Sequence, residues 1–302
     1  MTAQADQHVR AVLEKAAQEN FPVAPRMLPR AWRRDLMAVY GYARLVDDIG
    51  DGDLAPGGRD AAVLGLTSAE ADDRLVLLDA LEADLHRVFD ATGRARGGPR
   101  HPLLAALEPA VRERGVPREP FLALIDANRQ DQKVRRYETF AGLVRYCELS
   151  ANPVGRLVLA VTGTATPERV RHSDAICTAL QVVEHLQDVA EDLRRDRIYL
   201  PGEDMARFGV SEADLGAPSA GASLRALIAY ECARAQRLLG QGSPLVRTVE
   251  GRLRLLLAGY VGGGRATLAA IRRAGYDVLP GPPKPTTAGL LRGVGTALRR
   301  EG

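Results

Sequence analysis

The 302-residue sequence has no stretch in which apolar and polar residues alternate with period two, so nothing in it reads as a half-buried strand and the fold class is expected to be all-α. It also lacks a Gly-x-Gly-x-x-Gly turn following a strand, and therefore carries no dinucleotide-binding fingerprint. Cysteine is scarce: Cys147, Cys177 and Cys232 are odd in number and lack metal-ligand spacing, which argues for a reduced, intracellular protein without a disulfide framework. These thiols are most simply small apolar core residues. Long apolar runs are missing too. Leu157–Thr166 and Leu255–Gly264 reach about ten residues, short of the roughly 18 that span a bilayer. The opening Met1–Gln7 has no apolar signal region, so a cytoplasmic protein without a membrane span is expected. Charge of one sign is lacking as well: 41 Lys and Arg against 38 Asp and Glu leave a net +3, too weak and too scattered for nucleic acid, though compatible with anionic substrates and membrane surfaces. With 46% hydrophobic residues the chain can bury an ordinary globular core, and no shift in composition marks a boundary before a basic tail at 286–302. The remainder, 1–285, is expected to be one domain.

What the sequence does contain is carboxylate at helical spacing. Apolar and aromatic residues recur with helical period from Leu36 to Val46, and Asp47, Asp48 and Asp51 fall at the end of that run. Leu36, Tyr40, Ala43, Asp47 and Asp51 are four, three, four and four residues apart, so they share a helix face and the acids are expected to continue an inward-looking stripe. Like charges at i,i+4 repel by roughly 0.2–0.5 kcal/mol when exposed and by more when desolvated, so a buried face of this kind needs a cation. Oxygen-only ligands suit Mg²⁺, which keeps several waters and is completed by substrate phosphates. A single such cluster reads equally well as an acidic helix end in solvent. A second one changes the balance. Gln181, Glu184, Asp188 and Asp192 are three, four and four residues apart, beside a separate apolar stripe of Ala179, Val182, Leu186, Val189 and Leu193. Two Asp-x-x-x-Asp faces in one helical chain, accompanied by Arg44 and by Arg194, Arg195 and Arg197, would clamp a diphosphate through shared Mg²⁺.

In chain order, helices are expected over 6–18, Arg30–Val46, 68–92, Leu103–Arg114 and Arg118–Val134, the last carrying Asp126 and Asp131. A helix from Tyr137 to Val161 should break at Pro153, where the small Ser150, Ala151 and Gly155 leave room for a cavity. Further helices are expected over Ser173–Arg194, 223–239 and 246–275, the last interrupted at Gly262–Gly264 by a kink or by tight helix packing. Gly52–Gly58, Gly93–Pro102 and Arg195–Asp214 read as loops. In the tail, Leu290, Val294 and Leu298 recur at helical spacing among Arg292, Arg299 and Arg300, a basic amphipathic segment expected to make weak peripheral contact with an anionic inner membrane surface.

Together, Glu19-Asn-Phe-Pro-Val-Ala24, Leu28-Pro29, Tyr40-Gly-Tyr-Ala-Arg44, Asp47-Asp-Ile-Gly-Asp51, Tyr146-Cys147, Ser150-Ala-Asn-Pro-Val-Gly155, Gln181 through Asp192 and Arg197-Ile-Tyr-Leu-Pro201 resemble the squalene and phytoene synthase family. The resemblance runs from about residue 8 to about residue 279. The first and sixth of these segments are most similar to the family's bacterial hydroxysqualene synthase branch, which serves hopanoid and squalene pathways. The resemblance implies a single-domain class I isoprenoid (terpenoid) synthase, a helical bundle with a central cavity that a long isoprenoid chain fills. It implies Mg²⁺ as cofactor and an isoprenoid diphosphate as substrate. It also implies functional coupling to a presqualene diphosphate synthase and a hydroxysqualene reductase. Carried over residue by residue, it makes Asp47, Asp48, Asp51, Glu184, Asp188 and Asp192 metal ligands. Tyr40 and Arg44 join Asp47, Asp51, Asp188 and Asp192 in catalysis, and Phe21, Arg26, Arg44, Tyr146, Asn152, Gln181 and Tyr260 bind substrate.

The chemistry so implied is loss of diphosphate from presqualene diphosphate, rearrangement of the cation, and capture by water. Aromatic faces such as Tyr40, Phe21, Tyr146 and Tyr260 could stabilise the cation by about 2 kcal/mol or more each when desolvated; Tyr146 and Tyr260 read more readily as core residues with satisfied hydroxyls, and the resemblance supports Tyr40 more strongly. Some positions depart from the family pattern. Glu184 stands where most members have Asn, Gln187 where Arg is common, and Pro25-Arg26 where Ser-Arg is usual, while Pro280–Lys284 replaces basic residues. These changes bear on diphosphate contacts and leave the aspartates intact. Two alternatives stay open: head-to-head condensation of farnesyl or geranylgeranyl diphosphate to presqualene diphosphate, squalene or phytoene, and a non-catalytic helical scaffold of the same fold, which two intact acidic motifs disfavour.

Overall fold

The computed structural model describes residues 24–54, 58–90 and 97–300; the expected helix over 6–18 and Phe21 lie outside them. Among the described residues every regular element is helical, and the one extended pairing is a parallel bridge between Arg136 and Ile198. None of these helices is long and apolar enough to cross a membrane. The three cysteines are free, and burial pushes the Cys147 thiol up to about 12, as befits an apolar core residue. The backbone forms two compact units, one made of the residues up to Lys133 with Leu157–Ala165, the other of Val134–Arg156 and Thr166–Gly302.

The first unit contains α1 (Arg30–Asp51), α2 (Arg59–Leu64), α3 (Arg74–Phe89), α4 (Pro102–Ala105), α5 (Glu108–Arg114) and α6 (Glu119–Asp131). Helix α1 follows Pro29 and runs past Val46 to Asp51, where Gly52 adopts φ 77° and its N–H closes on the carbonyls of Asp48 and Ile49. Helix α3 starts later than its apolar pattern suggests because the Asp73 carboxylate caps it, accepting from the N–H groups of Leu75 and Val76. The expected Leu103–Arg114 helix is two pieces, each with a proline in its first turn. Tyr42 ties α1 to α6. Its ring meets Phe121 edge-on at 5.1 Å and its hydroxyl donates to the Phe121 carbonyl at 2.9 Å, both side chains being fully buried.

The second unit contains α7 (Phe140–Ser150), the start of α8 (Asn152–Val161), α9 (Pro167–Gln187), α10 (Val189–Arg194), α11 (Gly202–Phe208), α12 (Glu212–Leu215), α13 (Ala222–Gly242), α14 (Gly251–Arg273) and α15 (Thr287–Arg300). Four expectations change here. The Tyr137–Val161 helix breaks at Ala151, and the space beside Gly155 is filled rather than open, since a Cβ there would lie 2.6 Å from the Cys177 sulfur of α9. The Arg195–Asp214 segment is not a plain loop but holds α11 and α12, the latter started by a capping box of Ser211 and Asp214. Helix α14 is continuous through its three glycines, which serve packing: a Cβ on Gly262 would lie 2.5 Å from the Val294 nitrogen of α15, and one on Gly264 would lie 2.7 Å from Leu180 of α9. The tail is a docked helix. Ala297 is fully buried, Leu290, Val294 and Leu298 are half-buried, and Arg254 of α14 donates to the Leu298 carbonyl at 3.2 Å. Its apolar stripe is thus largely covered by the protein, with Leu291 left 70% exposed beside the exposed Arg292.

Candidate active site

Asp47 and Asp51 stand on the last two turns of α1, with Tyr40 and Arg44 upstream. They flank the core stripe rather than continue it. Leu36, Val39, Tyr42, Val46 and Ile49 are buried, whereas Tyr40 and Ala43 are half-buried and Asp47 is open to water. The reason is geometric: at about 3.6 residues per turn, Val39, Tyr42, Val46 and Ile49 centre on a direction roughly a third of a turn or more from that of Asp47 and Asp51. Arg44 Nε lies 3.0 Å from the Asp48 carboxylate one turn on, so Asp48 is engaged in an intrahelical ion pair. The Asn128 amide of α6 donates to Asp47 Oδ1 at 3.2 Å. Although water reaches Asp47, the protein around it strips much of its hydration and pushes its carboxyl up to about 7; Asn128 and Arg44 oppose this, and Asp51 and Asp48 add repulsion.

The second carboxylate face begins on α9 and turns a corner. At Asp188 the backbone leaves helical geometry, φ −103° and ψ 12°, and α10 resumes at once, with the Asp192 N–H donating to the Asp188 carbonyl at 2.7 Å. Gln181, Glu184, Asp188 and Asp192 therefore lie along a kinked segment instead of one straight helix face. Glu184 is exposed, while Gln181, Asp188 and Asp192 are half-buried. Burial raises Asp188, with Glu191 adding to it, and pushes Asp192 up to about 7, Asp188 adding repulsion and Arg197 opposing it. His185 lies beneath this face. Its Nε2 is 3.3 Å from the Gln181 amide and its Nδ1 is 3.9 Å from Asp192, and burial, then Arg197, lowers its pKa to about 3, so the imidazole is neutral. With Gln181 donating, the ring proton sits on Nδ1, facing Asp192.

Tyr199 of the Tyr-Leu-Pro segment stacks on His185 with centroids 3.7 Å apart, and Tyr137 and Tyr146 pack against Tyr199 at 5.7 Å each. Tyr146 is thus buried in an aromatic cluster behind the second acidic face. Tyr260 is half-buried with its hydroxyl pKa raised by burial. Asn152 is buried and accepts from the Thr178 hydroxyl at 3.0 Å, a clamp between α8 and α9. Arg26 lies in an exposed turn ahead of α1, Asp126 pairs with Arg129 at 3.1 Å on the surface, and Asp131 is buried. Sequence reading missed Asn128, whose four-residue spacing from Gln132, just past the end of α6, was its one visible signal, and it missed that Tyr199 covers His185.

Among the described residues no three His, Cys, Asp or Glu side chains stand close enough to surround a metal ion. The donor chemistry still fits a hard dication. Each acidic segment presents carboxylate oxygens four residues apart, one of them pushed up to about 7 by lost hydration, and Mg²⁺ takes only one or two carboxylates before waters and phosphate oxygens complete it.

The family described as squalene/phytoene synthase matches residues 15–289. A hydroxysqualene synthase of Rhodopseudomonas palustris is 35% identical over 233 residues, 77% of this chain and 72% of that one. A phytoene synthase of Mycobacterium tuberculosis is 31% identical over 263 residues, 86% and 80% of the two chains. Among solved structures, squalene synthase HpnC from Alicyclobacillus acidocaldarius superposes with a TM-score of 0.75 at 39% identity, covering 91% of this chain and 97% of that one. Members of the family are class I isoprenoid synthases, enzymes of isoprenoid biosynthesis that typically depend on a divalent metal. With the match covering nearly the whole sequence and the helical architecture shared, the chain belongs to the squalene/phytoene synthase family.

Proposed function

We propose that this protein is a hydroxysqualene synthase, converting presqualene diphosphate and water to hydroxysqualene and diphosphate. The observation that carries the diphosphate part is the pair of Asp-x-x-x-Asp segments, each holding a carboxyl pushed up to about 7 that a cation would return to its ionised form. The choice of reaction rests on relatives named hydroxysqualene synthase at 34% and 35% identity. Mg²⁺, for which Asp47, Asp48, Asp51, Glu184, Asp188 and Asp192 are the proposed ligands, would polarise the diphosphate and stabilise it as it leaves. Arg44 adds a guanidinium matched to phosphate oxygens. The carbon–oxygen bond breaks with its electron pair going to diphosphate, the cyclopropylcarbinyl cation rearranges, and a water oxygen bonds to the new cationic carbon and gives up a proton. Tyr40, Phe21, Tyr146 and Tyr260 would shield the cation, and Arg26, Asn152 and Gln181 would add further contacts to the substrate.

The phytoene synthase relative, matching over 86% of this chain, supports a second reading, head-to-head condensation of two prenyl diphosphates. Purified protein with Mg²⁺ and no nicotinamide, offered presqualene, farnesyl or geranylgeranyl diphosphate separately, distinguishes the two. Consumption of presqualene diphosphate alone supports the first reading; consumption of either prenyl diphosphate with presqualene diphosphate untouched supports the second. The reaction also implies an upstream enzyme that supplies presqualene diphosphate and a downstream reductase for the alcohol. Weak contact with an anionic membrane surface through Leu291 and Arg292 would suit so apolar a substrate.

A further inference from the structure

The last turn of α1 ends in carbonyls that the helix cannot satisfy by itself. Two neighbouring helices grip it. Gln132, following α6, donates its side-chain amide to the Gly50 carbonyl at 2.9 Å and to the Asn128 carbonyl at 3.0 Å, and Arg74 of α3 donates to the same Gly50 carbonyl at 3.1 Å. One turn before Gln132, Asn128 is 8% exposed, and its amide nitrogen is shared between the Leu124 carbonyl and Asp47 Oδ1, both at 3.2 Å. The bond to Leu124 settles which way the amide faces, since only its nitrogen donates. The contact exists because position 50 has no side chain. A Cβ built on Gly50 would lie 2.7 Å from Asn128 Cγ and 3.1 Å from Asn128 Cβ. An amide tied to its own helix and wedged against Gly50 has little freedom to follow Asp47, so Asp47 must keep Oδ1 where the amide is.

We propose that Asn128 is a positioning residue for Asp47: it holds Oδ1 so that the second carboxylate oxygen stays turned towards the divalent cation and diphosphate, and Gly50 is bare to admit it. The inference rests on the metal-dependent reading above. A neutral amide suits the task because it fixes geometry while leaving the negative charge for the cation, which a lysine or arginine in its place would neutralise. Partners that orient metal ligands in this way are typically worth about 10–100-fold in metal affinity.

The test titrates Mg²⁺ into the full-length protein with inorganic diphosphate as probe, by calorimetry, alongside melting temperature without metal. Asn128→Leu, close in volume but without the amide, should raise the Mg²⁺ concentration for half-maximal diphosphate binding by about 10–100-fold while the metal-free melting temperature stays near wild type. Gly50→Ala should act in the same direction by pushing the amide off Asp47. In an Asn128→Ala background, Gly50→Ala should add little, because the obstructing group is gone. That failure of additivity is not expected of two independent structural defects, and the Gly50 arm remains informative if Asn128→Leu folds poorly. Wild-type Mg²⁺ dependence in both Asn128→Leu and Gly50→Ala, or fully additive effects, would overturn the proposal alone. Failure of the wild-type protein to bind diphosphate with Mg²⁺ would overturn the functional reading, and this inference with it.

Discussion

Glu231→Gln should remove a loss of stability that the wild-type protein suffers as pH rises. Glu231 on α13 is 1% exposed and Asp204 on α11 is 2% exposed. A single guanidinium serves both: Arg234 pairs with Asp204 and, at 3.0 Å, with Glu231, while its plane lies over the rings of Phe140 and Tyr230 at 4.3 and 4.6 Å. Two buried carboxylates and one cation leave one negative charge too many. Lost hydration, against the pull of Arg234, therefore pushes Glu231 from 4.5 up to about 8, with Asp204 adding repulsion. Because the folded pKa is raised, this group's contribution is fully present below about 4.5 and is lost as pH climbs through about 8. Those two values make the folded state lose roughly 3 kcal/mol between pH 5 and pH 8 through this one residue. Glutamine keeps the shape and never ionises. Urea unfolding of both proteins in chelator at about pH 5, 6, 7 and 8 reads the effect as a difference. Asp47 and Asp192, both pushed up to about 7, titrate in the two proteins alike and cancel. The stability of Glu231→Gln relative to wild type should rise steadily across this range. A difference that stays constant, or a variant that loses several kcal/mol at every pH, would mean that Glu231 is ionised and paired with Arg234 throughout.

Asp47→Asn or Asp188→Asn should abolish turnover and leave the helical circular dichroism intact, since each removes the charge of a proposed metal ligand without emptying core volume; parallel loss of both signals would point to a structural role. Gly293→Ala should cost about 1–3 kcal/mol in unfolding experiments, because its Cβ would press on the Gly262 backbone of α14 and no side chain there can yield. An unchanged midpoint would contradict the close crossing of α14 and α15. Leu291→Asp combined with Arg292→Glu should reduce sedimentation with anionic vesicles at unchanged melting temperature, since both positions are exposed; equal sedimentation would end the membrane proposal.

The helical class and the two acidic segments were legible because helical period and carboxylate spacing are local properties. Asp47 and Asp51 are on α1 together, as their four-residue step requires. What lay beyond reach depended on neighbours distant in sequence. The corner at Asp188 has no proline or glycine to announce it. The glycines at 262–264 looked like an interruption, but the chain spends them on letting α15 and Leu180 approach. Gly155 suggested an opening, and Ser173 and Cys177 occupy it. The tail was readable as amphipathic, but not as docked, because the same stripe suits a membrane or a helix such as α14. Asn128 became visible only when α6 was seen against α1, 81 residues away in sequence.

In the proposed reaction the carbocation is captured by water and not by hydride or by loss of a proton. Incubating the protein with Mg²⁺ and presqualene diphosphate in isotopically heavy (oxygen-18) water, without nicotinamide, and weighing the product by mass spectrometry tests it directly. Hydroxysqualene carrying one heavy oxygen in its alcohol is the expected product; an unlabelled alcohol, or a hydrocarbon as the main product, would contradict capture by water.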